Sequence, residues 1–214
     1  MNQKSVNAIY LIKRAALIFI FLLPVISETG CSAYETIINL SRLKFKIDSI
    51  DNVELAGIPL KNKLSINDFS TLETLKLSTA FVRNALPLTF TINVDAKNPN
   101  DGTGGYSRTN ATIVSFPWKL FLDDKQTVAG DISSEVNVPG TGETTKIPLK
   151  VTLDLVQFFK DRGYQGILNL AFNLAKESST PSKITLYAQP TVGTPLGNIK
   201  YPKEIKIINL EYSK

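Results

Sequence analysis

The stretch Leu86–Asp101, LPLTFTINVDAKNPND, decides the fold. Leu86, Leu88, Phe90, Ile92, Val94 and Ala96 alternate with Pro87, Thr89, Thr91, Asn93, Asp95 and Lys97. In an extended chain successive side chains point to opposite faces, so the alternation collects the apolar groups on one side and the polar groups on the other. That is the signature of a half-buried strand in an antiparallel sheet. The strand ends at Asn98-Pro99-Asn100-Asp101-Gly102, where Pro has no N–H for the ladder and Asn, Asp and Gly favour turns.

Working outward, the same design recurs on both sides. Leu43, Phe45 and Ile47 alternate with lysines and Asp48, and Val53–Leu60 continues the sheet after a turn predicted at Asp51-Asn52. Asp68 is the expected cap of a helix running through Phe69, Leu72, Leu75, Leu77, Ala80 and Phe81, with Leu77 out of phase and the apolar groups expected to pack as core or lid. Val114, Phe116, Trp118, Leu120 and Leu122 lie in phase up to a turn at Asp123-Asp124-Lys125, and Val128, Ile132, Val136 and Val138 come next. After a turn at Gly140–Glu143, Thr145, Ile147, Leu149, Val151, Leu153 and Leu155 keep strict alternation. Val156–Lys176 has instead a helical period interrupted at Gly163 and Gly166, and predicts two short helices capping one end of the sheet. A loop at Ser178–Pro181, a strand through Ile184, Leu186, Ala188 and Val192, and a final strand Ile205–Leu210 complete the chain. The phase shift at Ile207/Ile208 marks a bulge or a splayed end. Short strands at regular spacing with turn chemistry between them predict an all-β sandwich.

The residue types limit the chemistry. With no His and one Cys, Cys31, the chain can form neither an internal disulfide nor a His/Cys zinc site nor a His-based triad. Asp123 and Asp124 are adjacent and suit a turn better than an acid/base pair; Asp95 and Asp154 fall on polar strand faces and are expected to be solvated. Gly102-Thr103-Gly104-Gly105 leads into a strand rather than a helix, so it is a loop and not a phosphate cradle. No Ser-x-x-Lys with supporting motifs appears, and the Asn110-Ala111-Thr112 sequon is read as unmodified. Trp118, in phase with Leu122, is assigned to the core in preference to a ligand groove. Asn98, Pro99 and Asn100 admit two roles: a recognition tip, or side chains that bond nearby backbone and hold the strand end. No catalytic residue, metal ligand or cofactor is expected.

At the N-terminus, Lys4, Lys13 and Arg14 precede the apolar run Ala15–Ile26, broken by Pro24. The run is shorter than the roughly 20 residues a spanning helix needs, and has the layout of a secretory signal. Thr29-Gly30-Cys31-Ser32 resembles a bacterial lipobox, with Glu28 standing where an apolar residue is usual; the alternative is an uncleaved signal anchor. The expected organisation is a lipoprotein signal peptide at 1–30, a tether at 31–42 beginning with lipidated (palmitate-bearing) Cys31, and one domain at 43–214. Three cations and one acid leave with residues 1–30, so the net charge of +5 becomes +3. The lysines are spread along strands, and no nucleic-acid partner is indicated.

Taken together, Phe90–Asn100 with its Asn-Pro-Asn end, the Trp118–Leu120 hairpin with the Gly130 strand, and Val138-Pro139 leading to Ile147-Pro148-Leu149 resemble the late embryogenesis abundant (LEA) type 2 family, also called the water-stress and hypersensitive-response (WHy) domain. The resemblance runs from about Leu43 to Leu210 and looks most like bacterial lipoprotein members; the helical pieces at 69–83 and 156–176 depart from it. It implies an immunoglobulin-like or fibronectin III-like antiparallel β-sandwich and an association with desiccation or osmotic stress, and it supplies no catalytic residues. The expected function is non-enzymatic: a lipid-anchored envelope protein that protects or binds client proteins, envelope lipids or a ligand, or alternatively an adaptor subunit of an envelope complex. Ser32 after Cys31 resembles the class sorted to the outer membrane, facing the periplasm. Cys31→Ser should therefore release the protein into the soluble fraction or leave the precursor uncleaved. Fractionation and gel migration unchanged from wild type would refute lipidation.

Overall fold

The computed structural model describes residues 42–105, 107–176, 184–194, 197–208 and 212–213. The expected signal peptide, Cys31 and most of the tether lie outside the described residues, as do the Ser178–Pro181 loop and Asn209-Leu210. Strand β3 (Pro87–Lys97) is bonded on both sides, to β1 (Lys44–Leu55) and to β8 (Thr144–Asp154), in a sheet ordered β2-β1-β3-β8 with β2 at Ile58–Pro59. The β3–β8 register is unbroken from Pro87↔Asp154 to Lys97↔Thr144. All six alternating apolar residues of the opening stretch are buried, while Thr89, Thr91 and Asn93 stay partly exposed.

The facing layer is assembled from two short sheets, β11-β10-β4-β7 and β12-β9-β5-β6. Its strands are β4 (Ala111–Ser115), β5 (Trp118–Leu122), β6 (Lys125–Gly130), β7 (Val136–Val138), β9 (Ile184–Ala188), β10 (Thr191–Thr194), β11 (Gly197–Lys200) and β12 (Ile205–Ile207). β4 leads into β5 through Phe116-Pro117, and β9 into β10 through Gln189-Pro190. Neither proline has an N–H to donate, so the ladder breaks there. Gln189 N still donates to Pro117 O (3.0 Å), stitching the two halves across the break into one bent layer. Phe45 of β1 meets Phe116 across the core at 5.3 Å between ring centroids. The architecture is the expected all-β antiparallel sandwich.

Three helices cover one end: α1 (Thr71–Val82), α2 (Leu155–Phe159) and α3 (Gly163–Ala175). The helical content expected at 156–176 is present, and α3 buries Ile167, Leu168, Leu170, Ala171, Phe172 and Leu174.

Several local expectations are corrected. Asp51-Asn52 is no turn: β1 runs through it with a register shift between Asp51 and Glu54, Asn52 takes φ +54°, and the hairpin falls at Ala56-Gly57, both at positive φ. Val114 is out of phase. Thr191 pairs Ser115 and Val192 pairs Ile113, so β4 carries an extra residue at Val114; Ile113 turns inward and Val114 is only half-buried. Such a bulge moves the next side chains to the other face. The 128–138 alternation is interrupted because the Asp131 carboxylate accepts from Ser115 Oγ (2.8 Å), Phe116 N and Ile132 N (2.7 Å), pinning a bend. Leu155 begins α2 rather than ending β8. At the C-terminus, Ile208 O accepts from Ile47 N (3.0 Å) and Ser213 N donates to Phe45 O (2.8 Å). The phase shift at Ile207/Ile208 thus marks where the chain leaves β12 for the edge of β1.

Asp95 is buried, not solvated, and Asp154 is half-buried and occupied as a helix cap. Asp95 is 7% exposed, flanked in register by Lys46 and Lys146, and its Oδ1 has no hydrogen-bond partner. The Tyr212 hydroxyl is pushed up in pKa by burial and by the charges of Asp95 and Asp48, and its ring lies 5.3 Å from Lys46 Nζ. Tyr212 thus lies close to this polar face. Asp154 caps α2, its Oδ1 accepting from Val156 N (2.9 Å) and Leu86 N (3.2 Å).

Removing a buried aromatic side chain costs ~3–5 kcal/mol through lost transfer energy and the cavity left behind. Phe90→Ala should largely unfold the domain in denaturant titrations, and Thr91→Ala on the outward face should shift stability by no more than about 0.5 kcal/mol. Equal losses would contradict the face assignment.

Candidate functional site

The two ends of the sandwich differ in what they leave uncovered. At the end where β3 finishes, Asn98 is fully buried. Its Nδ2 donates to Thr109 O (2.8 Å) and Val138 O (3.1 Å), and its Oδ1 accepts from Asn100 N (3.1 Å). The side chain therefore ties the end of β3 to the segment leading into β4 and to the end of β7, and closes an Asx turn around half-buried Pro99. Asn100, also buried, accepts from Arg42 Nη1 at Oδ1 (3.0 Å) and from Thr109 N at its carbonyl (3.1 Å). Gly140 is required beside it, because a Cβ there would lie 2.5 Å from Asn100 O. Of the two roles open in the sequence, the hydrogen bonds favour the latch: the Asn98 side chain is spent on backbone groups, and Asn100 is engaged by the Arg42 side chain and the Thr109 amide.

Trp118 is a core residue, as assigned. Its indole covers Gly130, where an added Cβ would sit 2.6 Å from Cζ2. This packing explains why the hairpin carries Trp and the strand after it Gly. Asp123 and Asp124 are the positive-φ turn residues of the β5–β6 hairpin, and Asp123 pairs with Arg162 at 2.7 Å. Among the described residues no group of three or more His, Cys, Asp or Glu side chains is arranged to hold a metal ion, and no helix is long and apolar enough to cross a membrane.

The helical end is different. A short 3-10 turn (Ile66–Asp68) leads into α1, and their termini are well capped. Asp68 Oδ2 accepts from Leu64 N and Ser65 N (both 2.8 Å). Ser70, not the expected Asp68, is the N-cap of α1, exchanging bonds with Glu73 in a capping box. Glu73 accepts from Ser70 N (2.9 Å) and pairs with Lys63 at 3.0 Å. Both carboxyls are held below their ordinary pKa: Asp68 by the amides of Leu64 and Ser65, Glu73 by the Ser70 amide and then Lys63. They stay ionised at neutral pH and serve the backbone, so they are poorly placed for proton transfer. Their contribution is present above the unfolded carboxylate pKa and lost as pH falls through the lowered folded value.

Behind α1 the packing is aromatic. Phe69 lies 5.9 Å from Phe172 and Phe81 5.0 Å from Tyr164, both on α3, and Leu77 is completely buried. In front, Leu72 (79% exposed), Leu75 (63%) and Val82 (78%) face solvent, with Leu64 (65%) nearby. A shallow open groove of about 600 Å³ runs beside them, lined by Ile66, Phe69, Leu75, Thr71, Thr74 and Ser78 among others. The packing expected of this helix is corrected: Leu77, out of phase in the sequence, is the anchor, and Leu72 and Leu75 are bare. The sequence does carry a signal, since Leu77 lies opposite the stripe of 72, 75, 79 and 82, but nothing local says which side packs.

No protein-family model and no curated protein matches the chain. Solved structures do. One, a solution structure described as that of a candidate late embryogenesis abundant (LEA) protein, is 19% identical, covers 94% of this chain and 90% of its own, and has a TM-score of 0.36. The structural-genomics target SoR45 is 9% identical (78% and 87% covered, TM-score 0.35), and a protein from Archaeoglobus fulgidus is 12% identical (74% and 95%, TM-score 0.31). Likeness at this level carries no argument about activity.

Removing the Asn98 side chain leaves three backbone groups without their partner, two of them in buried bonds and the third part-buried, and a buried group left unsatisfied costs ~1–3 kcal/mol. Asn98→Ala should lower stability by about 2–5 kcal/mol, measured by chemical denaturation. Asn98→Asp should cost at least as much, because a carboxylate cannot donate to Thr109 O and Val138 O. An Asp variant as stable as wild type would refute the latch.

Proposed function

We propose that this chain is a non-enzymatic, lipid-anchored protein of the cell envelope, with a LEA type 2-like sandwich that binds partner or client proteins stoichiometrically and protects them when water is scarce. The observation that carries the binding reading is the outward face of α1, where Leu72, Leu75 and Val82 stand exposed beside a groove on a helix backed by aromatic packing. Folding gains nothing from leucines left in water, and a contiguous exposed apolar patch marks an interaction surface. The family resemblance supports the stress association, and the lipobox-like Thr29–Ser32 supports anchoring through Cys31 at the outer membrane. The adaptor reading shares the same face: a fixed row of side chains suits one defined partner as well as many clients.

Drying or freezing a labile reporter enzyme with graded amounts of the protein separates these. Protection should rise with molar ratio and level off, exceeding that from an equal mass of an unrelated sandwich. Protection no better than the control would remove the protective version and leave the adaptor. Catalytic turnover that survives purification would remove both.

A further inference from the structure

On α1, Leu72, Leu75, Thr79 and Val82 fall at i, i+3, i+7 and i+10, the a/d spacing of a helix–helix seam. Leu77 takes the position opposite that seam and is fully buried, so the helix is held from behind and bare in front. A surface helix ordinarily turns charge outward. Here the only charged residues within α1 are Glu73 and Lys76, and neither lies on the seam.

Charge around the seam is one-sided. From 61 to 83 the cations are Lys61, Lys63, Lys76 and Arg83, against Asp68 and Glu73. Asp68 is turned onto the Leu64 and Ser65 amides, and Glu73 is paired with Lys63. Lys61, Lys76 and Arg83 are exposed, with no ion pair among the described residues. Lys76 and Arg83 occupy the e positions flanking the seam, where helix partners read each other's charge. An antiparallel pair of two α1 copies would set Lys76 against Arg83 of the other copy, which repels. A fluid bilayer would accept the leucines, but it has no ridge to match a groove and no 3-4 spacing to meet a seam.

We propose that the outward face of α1 and its adjoining groove take an amphipathic α-helix of a partner protein, apolar at its a and d positions and acidic at the positions flanking them. The proposal rests on the binding-module reading and specifies the partner's chemistry.

The test uses the full chain with Cys31→Ser and Thr71→Cys, labelled at position 71 on the groove rim with an environment-sensitive fluorophore. The probes are two synthetic helices of about three heptads with Leu at a and d, one with Glu and one with Lys at the flanking positions. The Glu peptide should shift the emission saturably and bind on the order of 10-fold or more tighter than the Lys peptide. Leu72→Asp with Leu75→Asp should weaken that binding on the order of 10-fold while leaving thermal unfolding unchanged, since both side chains are already in water. Equal binding of the two peptides, or binding indifferent to the leucines, would overturn the proposal. So would a shift produced by phosphatidylglycerol vesicles but not by the Glu peptide, which would assign the face to a membrane. Leucine-dependent self-association would assign it to a second copy, and a label already shielded from quencher without peptide would assign it to the chain itself. If the leucine variant still protects the reporter enzyme, the partner assignment fails while the binding-module reading stands.

Discussion

β3 is bonded on both edges and buried on one face, and the rest of the domain takes its position from that constraint. A strand with partners on both sides cannot slip by one residue without turning Phe90, Ile92 and Val94 to the wrong face and breaking two ladders at once. Its register therefore fixes β1 and β8, and the ends of those strands place the helices and turns attached to them. Where β3 begins, Leu86 O accepts from Leu155 N and Leu86 N donates to Asp154, so the helical cap is anchored at the strand's first residues. Where it ends, Asn98 carries the same register into β4 and β7 of the opposite layer. One strand thus links the cap, the core and the latch.

The parts legible in the sequence are those governed by strict alternation. Leu86–Ala96 and Ile147–Leu153 required only that side chains alternate and that one face avoid water. Errors occurred where a single residue changes the phase. The inserted Val114 and the bulge at Asn52 are invisible to a pattern with a period of 2, because the signal on each side remains good while its sense reverses. Asp131 ends an alternation through hydrogen bonds to Ser115, Phe116 and Ile132, two of its three partners lying 15 or 16 residues back along the chain. Asp95 looked solvated because alternation faces it outward. Tyr212, which lies close to it, belongs to the far end of the chain, and no local rule brings it there.

The candidate site was harder to read for a different reason. α1 is apolar on two sides, so its sequence fixes a helix without fixing its orientation. Tertiary contacts decide: Phe69 and Phe81 meet Phe172 and Tyr164, and that choice leaves Leu72, Leu75 and Val82 outside. The Asn98-Pro99-Asn100 turn shows the reverse. Its two asparagines, which read equally well as a recognition tip, are engaged internally, Asn98 by backbone groups and Asn100 by Arg42 and Thr109, and a turn so engaged has little left to offer a ligand.

The polarity of β1 sets the latch and the bare leucines apart. Arg42, the first described residue, bonds Asn100 at the latch end, and β1 then runs twelve residues to the cap, roughly 35 Å at about 3.3 Å per residue. The chain enters the domain at one end and displays its bare leucines near the other. A partner seated on those leucines would therefore leave the Asn98 latch untouched, and the face keeps the spacing and charge that suit an acidic helix.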